Sequence, residues 1–346
     1  MHSIVLFRAL QLGDMLCAIP AFRAVRVAFP ESRITLAGLP WAHALVTRFM
    51  HYLDDFVAFP GVPQLPEQPE DVAALPGFFA DVRARHYDLA VQVHGSGAQT
   101  NAIVAAFGAK RTAGFHPQGE PAPAAGDFFP YPDQGHEIRR LLRLLEVLGI
   151  PAQGDELEFP LYDDDYRELD ALTGMDALEP GRYVCLHPGA RDIAKRWPAR
   201  HFARIGEALH DIGYRVVLTG SGAERNLTTA IARAMRNPSI NCAAPVSVGA
   251  IAALLNHSRL IVTNDTGVSH IAAALRLPSV VIFSATDPDR WAPLDGTLHR
   301  IVRDPGRTDV NGVLRAVQQL LEGTWTPGRD QASVRSALSL SVQRMT

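Results

Sequence analysis

The residues best suited to chemistry fall in two short segments. Asn264-Asp265-Thr266-Gly267-Val268-Ser269-His270 joins an apolar run, Leu260-Ile261-Val262-Thr263, to a helix-like run, Ile271-Ala272-Ala273-Ala274-Leu275. A strand that feeds a helix through such a turn offers backbone N–H groups and the positive end of a helix dipole to an anion, and phosphate is the natural guest. Gly267 lets the backbone approach a ligand, Thr266 stands where a side chain can cap the helix, and Asp265 projects from the carboxyl end of the strand. The competing account of this segment is an ordinary capped helix. The second segment, Leu12-Gly13-Asp14, follows the first apolar run and precedes a helix-like stretch, Ala18-Ile19-Pro20-Ala21-Phe22. Asp14 is a carboxylate at a loop-to-helix junction, where it can act as a base or serve as a helix cap.

Strands must carry both segments to a ligand-facing edge. Short β-branched runs alternate with longer amphipathic ones along the chain, as expected of parallel strands joined by crossover helices. The pattern predicts strands at 3–7, 33–37, 54–59, 89–93 and 111–115, and again at 183–187, 215–219, 259–263 and 279–283. Helical stretches such as 202–211 and 223–235 separate the second set. Between the sets, the region from Gly149 to Gly181 carries Pro151, Pro160 and Pro180 with an acidic segment, 155–170, and reads as a linker entering a short helix. The expected organisation is an N-terminal domain at 1–165, a C-terminal domain at 166–328, and a tail at 329–346 that suits a terminal helix or a frayed end. Two Rossmann-like halves of this kind would hold a ligand in a cleft between them, outside the carboxyl ends of their strands. Two proline-rich stretches, 60–76 and 117–132, are too irregular for simple connections and read as functional loops or mobile surface segments.

Composition removes several classes of function. The 346 residues suffice for two cores, and a formal net charge of -3 with scattered Lys and Arg leaves no footprint for nucleic acid. The three cysteines, Cys17, Cys185 and Cys242, lie far apart without a C-x-x-C pair, as reduced thiols in a cytoplasmic protein would. No H-E-x-x-H or clustered His/Asp set suggests a metal site. The N-terminus has no basic n-region, and no apolar stretch of about 18 residues is available for a membrane span, so a soluble protein, at most peripheral to a membrane, is expected. The lone Gly13-Asp14 is not the G-x-G-x-x-G fingerprint, which sets aside a nicotinamide oxidoreductase.

Four segments taken in order are more specific than any one of them. Leu12-Gly13-Asp14, His187-Pro188-Gly189-Ala190-Arg191 with Lys195-Arg196-Trp197-Pro198, Gly220-Ser221-Gly222-Ala223-Glu224, and Asn264-Asp265-Thr266-Gly267 through His270 share one architecture. Together with Thr286-Asp287-Pro288-Asp289-Arg290-Trp291, the set resembles glycosyltransferase family 9, the bacterial heptosyltransferases of the lipopolysaccharide inner core, over residues 3–322. The resemblance implies an α/β GT-B fold, two Rossmann-like doubly wound domains facing a central cleft. It also implies inverting transfer without a metal ion or cofactor, with ADP-L-glycero-D-manno-heptose as donor.

By the same resemblance, Asp14 matches the catalytic base beside Gly13, and Lys195 matches the lysine that meets the donor's phosphates and sugar. Glu224 matches the residue holding the ribose hydroxyls, and Asp265 the carboxylate near the donor sugar. Thr266 and Gly267 match the turn that receives the diphosphate, and Val246, ahead of Ser247, falls where the adenine packs. Gly189, Ala190, Arg191 and His270 complete the donor set. The chemistry is coherent, because an oxocarbenium-like displacement needs charge stabilisation on the leaving diphosphate and one base for the attacking hydroxyl. His187 and His270 also suit packed, hydrogen-bonded histidines, and Arg191 a solvated loop charge. Two positions depart from the family pattern: Ser284-Ala285 stands where Gly-Pro is common, and Gly189-Ala190 offers phosphate only backbone donors. Arg111, Arg139 and Arg140 are candidates for a phosphorylated acceptor by charge alone. The expected partners are a nucleotide sugar and a glycan or lipid-linked glycan acceptor, met at the cytoplasmic face of the inner membrane through peripheral contact. Two alternatives remain: a GT-B transferase using another nucleotide sugar, and a nucleotide-sugar-binding protein without turnover.

Overall fold

Apolar runs of four to six residues are too short for stable helices, and here they pair side by side as parallel strands. The computed structural model describes residues 1–323 apart from 173, 176 and 177, and the chain separates into two units, Met1–Pro160 and the part from Leu161 onward. The tail read at 329–346 lies outside the described residues. In the first unit the strands are β1 (Ser3–Phe7), β2 (Arg33–Gly38), β3 (Asp55–Ala58), β4 (Leu89–Gln92), β5 (Arg111–His116) and β6 (Asp127–Pro130). Among the described residues they form a wholly parallel sheet in the order β3-β2-β1-β4-β5-β6. The helices are α1 (Leu12–Cys17), α2 (Ile19–Ala28), α3 (His43–Arg48), α4 (Leu75–Ala84), α5 (Thr100–Ala105) and α6 (Glu137–Val147).

The second unit repeats the plan. Its strands are β7 (Tyr183–His187), β8 (Arg215–Leu218), β9 (Ser239–Asn241), β10 (Ile261–Asn264), β11 (Ser279–Phe283) and β12 (His299–Arg303), paired in parallel as β12-β11-β10-β7-β8-β9. The helices are α7 (Asp163–Asp170), α8 (Ala199–Asp211), α9 (Arg225–Ala234), α10 (Val248–Asn256), α11 (Gly267–Ala274), α12 (Pro288–Trp291) and α13 (Val310–Gly323). Counted within its own unit, each sheet has the Rossmann order, with a switch point between its first and fourth strands. The switch points are therefore β1 beside β4, and β7 beside β10. Each sheet is covered by apolar helix faces. Phe7, Phe59, Phe78 and Phe107 pack edge to face in the first core, Phe7 and Phe59 with centroids 5.1 Å apart. Phe202, Ile205 and Leu209 of α8, with Val313 and Val317 of α13, close over Val262 and Ile282 in the second.

Three strands were not anticipated. The stretch 117–132, read as irregular, contains edge strand β6, whose last residue is Pro130. An edge strand tolerates a residue without an N–H. Strands β9 and β12 also lie at an edge and carry polar residues on their open side, which hides the apolar alternation.

Two buried histidines make the fold sensitive to acid. His94 follows β4 and accepts the Ala9 N–H at 3.2 Å, while His299 opens β12 against the Ser279 hydroxyl at 2.8 Å. Burial above all, then the Arg8 charge, lowers the His94 pKa to about 3; burial likewise lowers that of His299 to about 4. Both folded values lie below the ordinary 6.5, so the unfolded chain takes up protons that the folded one refuses, and stability falls as pH drops below about 6.5. At pH 5 each site should cost about 2 kcal/mol. Denaturant unfolding at pH 7.5 and pH 5 is expected to show at least that loss, and His299→Gln should remove about 2 kcal/mol of it; an unchanged pH dependence in the variant would count against this account.

Candidate active site

The loops leaving β7 and β10 diverge from adjacent strands, with Thr263 opposite His187 in the register. Asn264, the fully buried last residue of β10, spans the gap. Its Nδ2 donates to the carbonyls of Pro188 at 2.8 Å and Gly189 at 3.3 Å, and its Oδ1 accepts the Trp197 N–H at 3.1 Å. One amide thus fixes both ends of the 188–197 loop. Trp197 is buried against Phe202 and His201, and its indole N–H donates to Asp304 at 2.8 Å. Burial alone would raise the Asp304 pKa, but hydrogen bonds from the backbone of Asp309, Thr308 and Arg307 and from Trp197 hold it below the usual carboxylate range. Arg307 Nη2 donates to the Ala194 carbonyl at 2.5 Å. The loop is therefore braced immediately before Lys195 and two residues after it.

That bracing sets Lys195 against Asp265. Lys195 Nζ lies 3.0 Å from Asp265 Oδ2, and the Thr286 hydroxyl donates to the same oxygen at 2.6 Å. The Asp265 side chain is 4% exposed and that of Lys195 28%, so the carboxylate is sunk while the ammonium still meets solvent. Asp265 and Thr266 lead directly into α11. Thr266 does occupy the N-cap position, but its side chain makes no capping bond, contrary to the sequence expectation, and its buried hydroxyl has no hydrogen-bond partner among the described residues. The N-cap side chain therefore leaves the positive end of α11 uncapped. His270 is buried within α11.

Glu224 comes from the loop after β8. Its Oε2 accepts the N–H and the hydroxyl of Ser221, each at 2.9 Å, in a reciprocal capping turn. The carboxylate lies over Gly189, where an added Cβ would stand 2.0 Å from Oε1. Glycine at 189 is thus the condition for Glu224 to reach β7. His187, below it, bonds the Thr219 hydroxyl at 3.1 Å, and burial lowers its pKa, leaving it a neutral packed histidine. Ala190 is buried with its carbonyl bonded to Arg196 Nε at 2.8 Å, Arg191 is on the exposed loop surface, and Val246 is half-buried ahead of Ser247, which caps α10. Gly189, Ala190, Lys195, Glu224, Asp265, Thr266 and Gly267 thus come to the carboxyl edge of one sheet. The bracing roles of Trp197, Asp304 and Asn264 were not read from the sequence; only Asn264 carries a local signal, a polar residue ending an apolar strand.

In the first unit Asp14 is the third residue of α1, half-buried, with Gly13 before it and Gln11 at the N-cap position. Asp14 is therefore not the cap residue of this helix. Its carbonyl accepts Arg8 Nε at 3.0 Å. Of the acceptor candidates, Arg111 pairs with Asp127 at 2.7 Å, Arg139 with Asp155 at 3.1 Å, and Arg140 is buried 3.6 Å from Glu137. Arg139, Arg140, Arg143 and His136 line a groove of about 630 Å³ beside α6.

In the second unit a cation, an uncapped helix N-terminus and two carboxylates suit an anion bound to a polyol, the anion meeting Lys195 and backbone N–H groups and the hydroxyls meeting Glu224 and Asp265. A family model described as glycosyltransferase family 9 (heptosyltransferase) matches residues 77–307. The chain belongs to this family. It is similar to lipopolysaccharide heptosyltransferase 3 of Escherichia coli K12, at 34% identity over 165 residues, 46% of each chain. It is also similar to lipopolysaccharide heptosyltransferase 1 of E. coli O18:K1:H7, at 24% identity over 92% of this chain and 97% of the relative. The chain spans about half the length of the first curated relatives it matches. In fold it resembles the solved E. coli ADP-heptose lipopolysaccharide heptosyltransferase II, with a TM-score of 0.73 at 22% identity over 93% of this chain and 99% of that one. Two parallel Rossmann-like sheets and this likeness give the family member its GT-B fold. Among the described residues no helix is long and apolar enough to cross a membrane.

The Asn264 bridge is the feature most open to a direct stability test. Asn264→Ala removes a buried acceptor and donor at once and leaves the Trp197 N–H unmatched, at about 1–3 kcal/mol for each orphaned group. We expect a loss of about 2–4 kcal/mol in urea unfolding with an unchanged m value; a change under about 1 kcal/mol would show that the loop is held by other contacts.

Proposed function

We propose that this protein is an inverting heptosyltransferase that moves heptose from ADP-L-glycero-D-manno-heptose to a lipopolysaccharide-core or related glycan acceptor. The observation that carries this reading is the meeting of Lys195, Asp265 and the uncapped α11 at the switch point of the second sheet, in a chain of glycosyltransferase family 9. The leaving diphosphate is met by Lys195 and the α11 N–H groups, so the reading needs no metal ion or cofactor. Glu224 accepts ribose hydroxyls, Asp265 sugar hydroxyls, and Val246 packs the adenine, with Gly189, Ala190, Arg191, Thr266, Gly267 and His270 shaping the donor pocket. The acceptor oxygen attacks the anomeric carbon as the carbon–oxygen bond to ADP breaks. The bond's electron pair leaves with ADP, and the hydroxyl proton passes to Asp14. The acceptor is lipid-linked, met at the cytoplasmic face of the inner membrane through peripheral contact, with the Arg139–Arg143 groove as the cationic surface toward its phosphates. Ser284 and Ala285, in place of Gly-Pro, favour a second reading in which another nucleotide sugar is the donor.

Calorimetric titration with ADP, UDP, GDP and NAD, with and without Mg²⁺, tests the donor first. Selective binding of ADP that does not depend on Mg²⁺ is the expected result, whereas preference for UDP or GDP would move the assignment to the second reading and no binding would remove both. Lys195→Ala should weaken ADP by about 10- to 100-fold, the loss expected for one charge-assisted contact; unchanged affinity would take Lys195 out of the diphosphate site. With heptose-deficient lipopolysaccharide as acceptor, Asp14→Asn should lower kcat by about 10²- to 10⁴-fold while ADP affinity stays within about twofold. Turnover equal to the parent's would refute Asp14 as the base.

A further inference from the structure

The switch point of the first sheet holds a buried cation that the reading above does not use. Arg8, the residue after β1, is 0% exposed. Its guanidinium reaches three elements: Nε donates to the Asp14 carbonyl on α1 at 3.0 Å, Nη1 to the Val93 carbonyl after β4, and Nη2 to Glu137 Oε1 at 3.1 Å. Glu137 opens α6 and is itself buried, and its Oε2 lies 3.6 Å from Arg140 Nη1. Two cations thus share one carboxylate, and the neighbouring His94 is kept neutral. Replacing such a buried charge pair by apolar side chains is often neutral or stabilising, so stability alone is a weak reason for it.

What Arg8 holds is more telling. Helix α1 has six residues and no side-chain cap at Gln11, too little to stand by itself. In a continuous helix the Asp14 carbonyl would accept the Ala18 N–H. Here the Ala18 N–H turns to the Met15 carbonyl at 3.1 Å, α2 starts afresh at Ile19, and Arg8 Nε occupies the Asp14 carbonyl instead. The strand beside it is shaped to match, because a Cβ on Gly38 would come 2.8 Å from the Arg8 carbonyl.

We infer that Arg8, braced by Glu137, is a positioning residue that fixes the backbone of Asp14 so that its carboxylate meets the acceptor hydroxyl. The inference rests on Asp14 being the base of the proposed transfer. A base must stand within hydrogen-bond reach of the proton it takes, and a misplacement of about 1 Å can cost about 100-fold in rate. Arg8 touches no substrate in this role. It acts through the turn that it pins, in concert with α6 and β4.

The test pairs Asp14→Asn with two variants of the brace, using ADP release from ADP-heptose with heptose-deficient lipopolysaccharide, ADP calorimetry and thermal unfolding. The double variant Arg8→Met/Glu137→Gln removes one charge of each sign and keeps the size of the side chain at 137, with its amide oxygen in place of the carboxylate oxygen that lies 3.6 Å from Arg140. It should unfold cooperatively, bind ADP within about twofold of the parent and keep its donor KM, while kcat falls at least about tenfold. Arg8→Lys retains the charge without the planar fork and should fall between the double variant and the parent. If the double variant does not fold, Arg8→Lys decides: a kcat lower by at least about threefold at unchanged donor KM supports the role, and a parental kcat overturns it. Parental kcat in the folded double variant, with Asp14→Asn inactive, overturns the positioning role alone. Parental turnover by Asp14→Asn overturns the base, and the positioning role with it.

Discussion

Parallel pairing at the two switch points is the constraint on which everything functional here depends. Adjacent parallel strands whose chains leave toward opposite faces of a sheet cannot fill the space above their carboxyl ends with their own backbone. At β7 and β10 the Asn264 amide fills part of that space by bonding the backbone on both sides of the 188–197 loop. At β1 and β4 the Arg8 guanidinium does the equivalent work with the carbonyls of Asp14 and Val93. In each unit a planar, multiply bonded group, fully buried, turns a topological gap into a rigid support.

Charges around these supports are arranged by burial. Asp265 and Glu137 are sunk and matched by cations, while Lys195 keeps part of its ammonium in solvent. A partly solvated cation beside an uncapped helix N-terminus can exchange its carboxylate partner for an anionic ligand at little desolvation cost. His187 and His94, one at each switch point, are buried and disfavoured as cations, so neither adds a positive charge that changes near neutral pH.

The central strands were legible because strands buried on both faces must be apolar throughout, and such runs are visible without any partner. Ser3–Phe7, Tyr183–His187 and Ser279–Phe283 begin and end where the residue pattern puts them. Edge strands were not legible. Asp127–Pro130 sits in a proline-rich stretch, and Ser239–Asn241 carries no fully buried residue, so neither has the signal that burial writes into sequence. At the site, the residue types and order of Lys195, Glu224 and Asp265 were readable. The idle hydroxyl of Thr266 was not, because a capping bond depends on a rotamer and a turn geometry that composition does not specify.

The sequence by itself determined the α/β alternation, the division into two repeated halves and the membership of a glycosyltransferase family. These follow from local periodicity and from ordered segments, each contained within a few consecutive residues, whereas the exact end of β10 at Asn264, one residue beyond the expected 263, does not. Only the tertiary structure decided which distant groups meet: Arg8 with Glu137 across 129 positions, Trp197 with Asp304 across 107, and Lys195 with Asp265 across 70. Strand order brings these pairs together, and strand order is set by packing and crossover handedness acting on the whole sheet, which no local stretch of sequence records.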